Sequence, residues 1–382
     1  MRFPADVPVL TDGDVTLRAH RPEDAEGVIE LANDPASIEF TVIPVPYGQA
    51  EAGQFLQSRS QVWESGAGWS FAVETEGGGG PTSFAGSVGL ALRDPGLAEV
   101  GFAAHPGVRG RGVMSRAVAL VLDWAFEVQG LHTVSWQSTA GNLASWRVAW
   151  RNGFTFEGSA RACLARRGTL VDGWRGSLLS TDSREPKTRW LQPVPLAGER
   201  VVLRAMERRD AARIVEATND AASLHWLGRL PFPRELDDFE GHLTRRLLGQ
   251  SLGQAVSWVV ADPHNDDYLA TISLFGFGSL DYKSAEFGYI AHPQARRRGV
   301  VTEAVRLVSA FAFTPEAEGG LGLERLSLGA ADANLPSLRV AHNCGFVETG
   351  RDRRSYPLPD DAVGDMVRCD LLRDEFHAAA AT

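Results

Sequence analysis

GFAAHPGVRGRGVMSRAV, residues 101–118, and GYIAHPQARRRGVVTEAV, residues 288–305, are two copies of one segment. Each reads as the end of a strand, a His-Pro turn, an arginine-rich turn with glycine, and the start of a helix. That order presents free backbone N–H groups at a helix N-terminus, where a phosphate is favoured. Its presence twice points to a duplicated domain and to a phosphate-bearing ligand.

The duplication extends outward from this segment. Asp14 onward (DVTLRAHRPEDAEGVIELANDPAS) matches Glu199 onward (ERVVLRAMERRDAARIVEATNDAAS), and GNLASWRVAWRNGFTFEG from Gly141 matches ANLPSLRVAHNCGFVETG from Ala333. The offset is 186 residues at Leu17 and Leu203, 187 at Gly101 and Gly288, and 192 at Asn142 and Asn334. Order is kept while the offset grows slowly, so whole domains are repeated; the period is far too long for a solenoid. The expected division is residues 1–180, a linker at 181–198 (three prolines, mixed charge, little periodicity), and residues 199–382. Pro315–Gly322 reads as a loop insertion that widens the offset.

Each repeat carries the same succession of signals. Short strands at 15–18 and 201–204 precede Asp-bearing helix starts near Asp24 and Asp210. A second helix is expected over 49–64 and 235–250. Three meander strands follow, at 69–74, 84–92 and 98–104, mirrored at 256–261, 269–277 and 284–291. The run Gly77–Gly80 reads as a flexible turn between the first two. A long helix is expected from 113 to 128 and from 300 to 312, then strands at 133–137 and 325–328, a helix opening at Asn142 or Asn334, and two closing strands. The fold class is α/β (α+β): a mixed, mostly antiparallel twisted sheet flanked by helices, twice.

The 382 residues carry a formal charge of −10, divided evenly between the halves. That argues against nucleic acid as a partner. The three cysteines have neither metal-ligand spacing nor a paired framework, which fits a reducing cytosol and no metal. With no long apolar run, the expectation is a cytoplasmic protein without a membrane partner, either a monomer or a homodimer.

Certain side chains and backbone groups stand out. Arg109, Gly110, Arg111, Gly112, Val113 and Met114 form the first turn and helix start. Arg296, Arg298, Gly299 and Val300 form the second, which has Arg297 in place of Gly110 and Val301 in place of Met114. Glu99 and Glu286 lie two residues before Gly101 and Gly288, where a carboxylate serves either as a proton acceptor or as a solvated strand charge. Asn142 and Asn334 have the chemistry of helix caps, three residues ahead of Ser145 and Ser337. The tryptophans Trp124, Trp136, Trp146 and Trp150 read as packing residues. His105 and His292 read as turn residues.

Taken in order, the Leu-Arg strand, the Glu-x-Gly strand, the Gly-x-Met-Ser helix start and Asn-x-x-Ser followed by Gly-Phe resemble the GNAT superfamily of acyl-CoA-dependent N-acyltransferases. The pattern is most similar to its RimJ/RimL-like branch and covers both repeats. The resemblance implies acetyl-CoA (coenzyme A) as cofactor and a primary amine of unknown identity as substrate. It implies that the turns hold the pyrophosphate and that strand backbone at Phe102, Ala103 and Ile290 meets the pantetheine arm. A backbone N–H near Phe102 would polarise the thioester oxygen. Asn142 and Asn334 would contact the cofactor, Glu99 and Glu286 would be bases, and Ser145 and Ser337 would be acids toward the thiolate. The first repeat, with both glycines, is expected to be the better cofactor site. The rival reading is an acyl-CoA-binding or scaffold protein with one or both repeats degenerate.

Overall fold

The computed structural model describes the chain except for residues 1, 2, 5, 77–82, 228–229, 278–282, 360 and 381–382. The Gly77–Gly80 run therefore lies outside the described residues. The chain divides into two compact units, Met1–Lys187 and Thr188–Thr382.

The first unit runs β1 (Leu10–Thr11), β2 (Val15–Arg18), α1 (Ala25–Asn33), α2 (Pro35–Phe40), α3 (Gln49–Glu64), β3 (Gly68–Thr75), β4 (Phe84–Asp94), β5 (Leu97–Ala104), α4 (Val113–Asp123), β6 (Thr133–Thr139), α5 (Leu143–Arg151), β7 (Thr155–Arg166) and β8 (Thr169–Leu179). The second runs β9 (Leu196–Ala197), β10 (Val202–Arg204), α6 (Ala211–Asn219), α7 (Ala221–Leu227), α8 (Phe239–Ser251), β11 (Ala255–Ala261), β12 (Tyr268–Phe275), β13 (Ser284–Ala291), α9 (Val300–Phe313), β14 (Arg325–Ala331), α10 (Leu335–Asn343), β15 (Val347–Pro357), β16 (Val363–Leu372) and α11 (Arg373–Ala380). The sheets have orders β1-β2-β3-β4-β5-β6-β8-β7 and β9-β10-β11-β12-β13-β14-β16-β15. Neighbours pair antiparallel except at β5–β6 and β13–β14, which are parallel.

The repeated Leu-Arg strand has a packing reason. Arg18 Nη1 and Nη2 donate to Asp24 at 2.9 and 2.8 Å, and its Nε donates to Glu74. Arg204 holds Asp210 at 2.9 and 2.8 Å and Asp266 at 2.7 Å. Each forked arginine clamps its strand, β2 or β10, to the turn before the first helix of its unit, a geometry lysine cannot supply.

The cores differ in chemistry. In the first unit Trp63, Trp69, Phe71 and Trp124 interlock beneath β3, with Trp69 and Trp124 edge to face at 5.1 Å between ring centres. The second core is mostly aliphatic. Val256, Val260, Ile272 and Leu274 of β11 and β12 pack with Ala304, Val305, Val308 and Ala312, one face of α9. Helix α4 ends earlier than its periodicity predicts, because a π-helical turn over Trp124–Val128 follows it. The opening strands β1 and β9 and the separate helix α2 carry too few residues to signal themselves in the sequence.

The stretch 181–198 is not a loose tether. Arg184 pairs with Asp123 at 2.7 Å in the first unit. Leu191 is buried in the second core, and Trp258 Nε1 donates to the Val194 carbonyl at 2.9 Å. Its prolines and mixed charge hide these anchors from a reading by composition.

Candidate active site in each repeat

The turn after β5 is built from its own residues. His105 Nδ1 accepts from the Gly107 N–H at 3.2 Å while Nε2 meets Glu30 at 2.9 Å. His292 does the same with Gln294 at 3.3 Å and Glu216 at 2.9 Å. Beyond them Gly110 and Gly112 have φ of 76° and 78°. A Cβ on either would meet nothing within 4 Å, so what their positions demand is the left-handed backbone rather than room.

The second repeat keeps that backbone without the first glycine: Arg297 has φ 60° and Gly299 has φ 77°. A left-handed arginine costs about 1 kcal/mol or more. The expected advantage of the first repeat at this turn is therefore absent from the backbone, which adopts the same path in both copies. Helices α4 and α9 begin their internal bonding at Gly112 and Gly299, whose carbonyls accept from Arg116 and Glu303 at 3.2 and 3.0 Å. The N–H groups of Val113, Met114 and Ser115, and of Val300, Val301 and Thr302, precede the first such bond. Val113, Met114 and Val300 bury their side chains, leaving only their backbone for a ligand.

The arginines divide. Arg109 reaches Asp34 at 2.6 Å and Ser37 at 3.1 Å, and Arg296 reaches Asp220 at 2.6 Å and Ser223 at 3.1 Å. Both hold the start of the short helix α2 or α7 against the end of the strand, and Asp34 and Asp220 lie below the usual carboxylate range. Burial raises each, but the arginine and the backbone donors of the cap outweigh it. Arg111, Arg297 and Arg298 are exposed around the turn.

At the centre of each sheet the parallel pair comes apart. β5 and β6 pair from Leu97–Thr133 to Val100–Trp136, and β13 and β14 from Ser284–Arg325 to Phe287–Leu328. Past those points β5 runs on through Phe102 and Ala103 to Ala104, and β13 through Ile290 to Ala291, while β6 and β14 stay with β8 and β16. An extended ligand arm can take the place of the missing strand.

In the second unit this split opens into two cavities. One, of about 580 Å³, is lined by Tyr289, Ile290, Arg297, Gly299, Val301, Asn334 and Ser337 among others. The other, of about 1010 Å³, is lined by Glu286, His242, Arg246, Ser273 and Phe275 among others. Both include Phe287, Gly288, Tyr289 and Ile290, so they meet on strand β13.

The helix-start asparagines cap their helices. Asn142 Oδ1 accepts from Ser145 N at 3.0 Å and Asn334 Oδ1 from Ser337 N at 3.3 Å. The serines meet different partners. Ser145 Oγ accepts from Trp136 Nε1 at 3.0 Å, whereas Ser337 Oγ lies 2.9 Å from the Tyr289 hydroxyl. Burial pushes the Tyr289 phenol up, so it stays protonated at neutral pH. Tyr289 replaces Phe102, and its partnership with Ser337 spans 48 residues, beyond the reach of a local motif.

The glutamates also differ. Glu99 is held on both oxygens, by Arg93 at 3.0 Å and by the Gln137 amide at 3.2 Å. Glu286 has Arg368 at 3.8 Å, and Gly329 stands where the first repeat has Gln137. His242 and Arg246 on α8, and Phe55 and Arg59 at the matching positions of α3, sit in no motif that marks them in the sequence.

A sheet opened between two parallel strands, beside a helix start with unspent N–H groups, is the fold of acyl-CoA-dependent N-acyltransferases. The chain belongs to the acetyltransferase (GNAT) domain family, whose sequence pattern matches residues 14–155 and again 200–347. Over 94 residues it is 34% identical to a probable N-acetyltransferase, YjcK, of Bacillus subtilis (strain 168), covering 25% of this chain and 49%, about half, of that relative. It is 24% identical over 185 residues to an uncharacterized N-acetyltransferase, p20, of Bacillus licheniformis, covering 47% of this chain and 96% of that one. Among solved structures it is similar to Mycobacterium smegmatis RimJ in complex with CoA-disulfide, at 18% identity and a TM-score of 0.43, covering 49% of this chain and 95% of that one.

Proposed function

We propose that the chain is an N-acetyltransferase that moves an acetyl group from acetyl-CoA to a primary amine, and that the second repeat is its turnover site. The observation that carries this is the pair of cavities meeting at strand β13, with a left-handed helix-start turn at one end and Glu286 at the other. The residues present fit the cofactor. The N–H groups of Val300, Val301 and Thr302 would hold its pyrophosphate, with Arg297 and Arg298 beside them, and the unpaired edge of β13 through Ile290 would receive the pantetheine arm. Bound there, acetyl-CoA supplies the activated thioester.

The chain's own groups do the rest. Glu286 would take the proton of the attacking amine. The Tyr289–Ser337 pair would donate toward the departing sulfur, and a backbone N–H of β13 would face the carbonyl oxygen. Seven-tenths of the Glu286 side chain is out of water, its exposure being 31%. In the first repeat Glu99, Ser145, Asn142 and the turn of Arg109–Met114 form a second cofactor cradle in which both glutamate oxygens are already bonded. This supports reading the first repeat as the weaker site.

Free-thiol release from acetyl-CoA with a panel of amines tests the proposal. Glu286→Gln is expected to lower kcat about a hundredfold, and Glu99→Gln less than twofold. Equal losses would place turnover in both repeats, and a loss confined to Glu99→Gln would reverse the assignment.

A further inference from the structure

The larger cavity holds a charge that the acetyl-transfer chemistry leaves unused. Arg246 of α8 is held by neutral groups alone. Its Nη1 donates to Ser257 Oγ at 2.6 Å and Ser273 Oγ at 2.8 Å, and its Nε donates to His242 Nε2 at 3.1 Å. The two serine oxygens are themselves 2.9 Å apart. Among the described residues no carboxylate forms an ion pair with it. His242 cannot serve as a counter-charge: burial first, then Arg246 and Arg245, push its imidazole down to about 3, so it accepts as a neutral ring. A guanidinium stays cationic at neutral pH. Burial lowers it from its ordinary value, a sign that the site disfavours the charge it holds. A half-buried cation held by neutral groups alone is costly until an anion joins it.

The surroundings define what that anion belongs to. Much of the wall is apolar, with Trp226, Leu230, Phe232 and Phe275, while Glu286 and Asp361 are its acidic groups among the described residues. Ser273 faces Gly288 across β12–β13 and Phe275 faces Glu286. Ser273 and Glu286 therefore share one face of the sheet, separated by roughly 7 Å along the strands. An amine at Glu286 and an oxyanion at Arg246 fit one compact molecule. The first repeat has an arginine at the same helix position, but Arg59 bonds Ser58 of its own helix and lies over the Phe55 ring at 4.9 Å. Gly89 stands there in place of Ser273, so the serine pair that aims the guanidinium belongs to the second repeat.

We infer that Arg246 is the anion clamp of the acceptor site, and that the amine acetylated by the second repeat carries a carboxylate, as a free amino acid or short peptide does. This rests on the amine-acetylation reading above. The test compares matched pairs, phenylalanine with phenylalaninamide and leucine with leucinamide, at equal free-amine concentration with the full chain. Thiol release gives kcat and KM, and calorimetry gives binding of each compound in the presence of CoA. The carboxylate member is expected to be favoured at least about tenfold, mainly in KM and in Kd. Arg246→Gln brings the ratio near one, and Arg246→Lys restores part of it. Equal use of both members by the unaltered protein, or an equal loss on both in Arg246→Gln, overturns the clamp. If no amine releases thiol, the acetylation reading fails, and the calorimetric ratio still decides the clamp. A thermal midpoint of unliganded Arg246→Gln several degrees lower would mark the arginine as structural, whereas the clamp expects it unchanged or higher.

Discussion

The two repeats lay different side chains on one backbone. Gly110 and Arg297 share a left-handed φ, 76° and 60°, and Gly112 and Gly299 agree to within a degree. At the centre of the sheet they part. Trp136, Gln137 and Phe102 of the first repeat stand where the second has Leu328, Gly329 and Tyr289. The indole of Trp136 fills the space beside Ser145 and the Gln137 amide binds Glu99. In the second repeat Leu328 and Gly329 leave a cavity, and a phenol takes over the contact with serine. The duplicated fold thus keeps its helix-start turn, whose shape local backbone fixes, while the centre of its sheet diverges through three side-chain exchanges.

Tyr289→Phe breaks the contrast most sharply, since it gives the second repeat the ring of the first. It is expected to lower kcat about a hundredfold while CoA binding stays the same. Phe102→Tyr should give the first repeat no activity, because Trp136 already holds Ser145. Restored turnover there, read as thiol release from the Glu286→Gln background, would show that the phenol alone separates the two.

His242 offers a smaller effect, visible in stability. Burial holds its imidazole at about 3, whereas the unfolded chain takes up the proton near the ordinary value of 6.5. Because the folded value is the lower one, the unfolded state gains protons first as pH falls through 6.5, and stability falls with it. Between pH 6.5 and 5 the loss is about 2 kcal/mol. His242→Phe copies Phe55 of the first repeat and should remove that part of the slope in urea unfolding at the two pH values. An unchanged slope would mean that other groups set it.

The turn gives the smallest effect. Gly299→Ala puts a Cβ in the left-handed region at about 1 kcal/mol, and should weaken CoA binding about fivefold by calorimetry. Arg297→Gly should change binding less than twofold, since that backbone is already in place. A tenfold gain from Arg297→Gly would mean the second turn is strained away from the cofactor, restoring the advantage expected from the glycines of the first.

Much of this was legible beforehand. The helix over 49–64 and the strand over 284–291 fall at the residues their periodicity marks, and the turns sit where His-Pro and glycine place them. The stretch 235–250 starts its helix later, at Phe239, after a short 3₁₀ turn at Leu236–Asp238. Arg109 and Arg296 pair with Asp34 and Asp220, about 75 residues away in the chain, contacts that no local motif signals. Arg246 gave no signal at all, because a basic residue on an amphipathic helix ordinarily faces water.

By itself the sequence determined that a domain is duplicated, in what order its elements run, and where a left-handed turn opens a helix. Those properties reside in a few neighbouring residues, through side-chain period and the left-handed conformations of turns. Only the tertiary structure decided which side chains meet at the centre of each sheet. Trp136 against Ser145, Tyr289 against Ser337, and Arg246 against Ser257 and Ser273 are contacts made across strands and between layers. Their chemistry comes into being when the sheet closes around them.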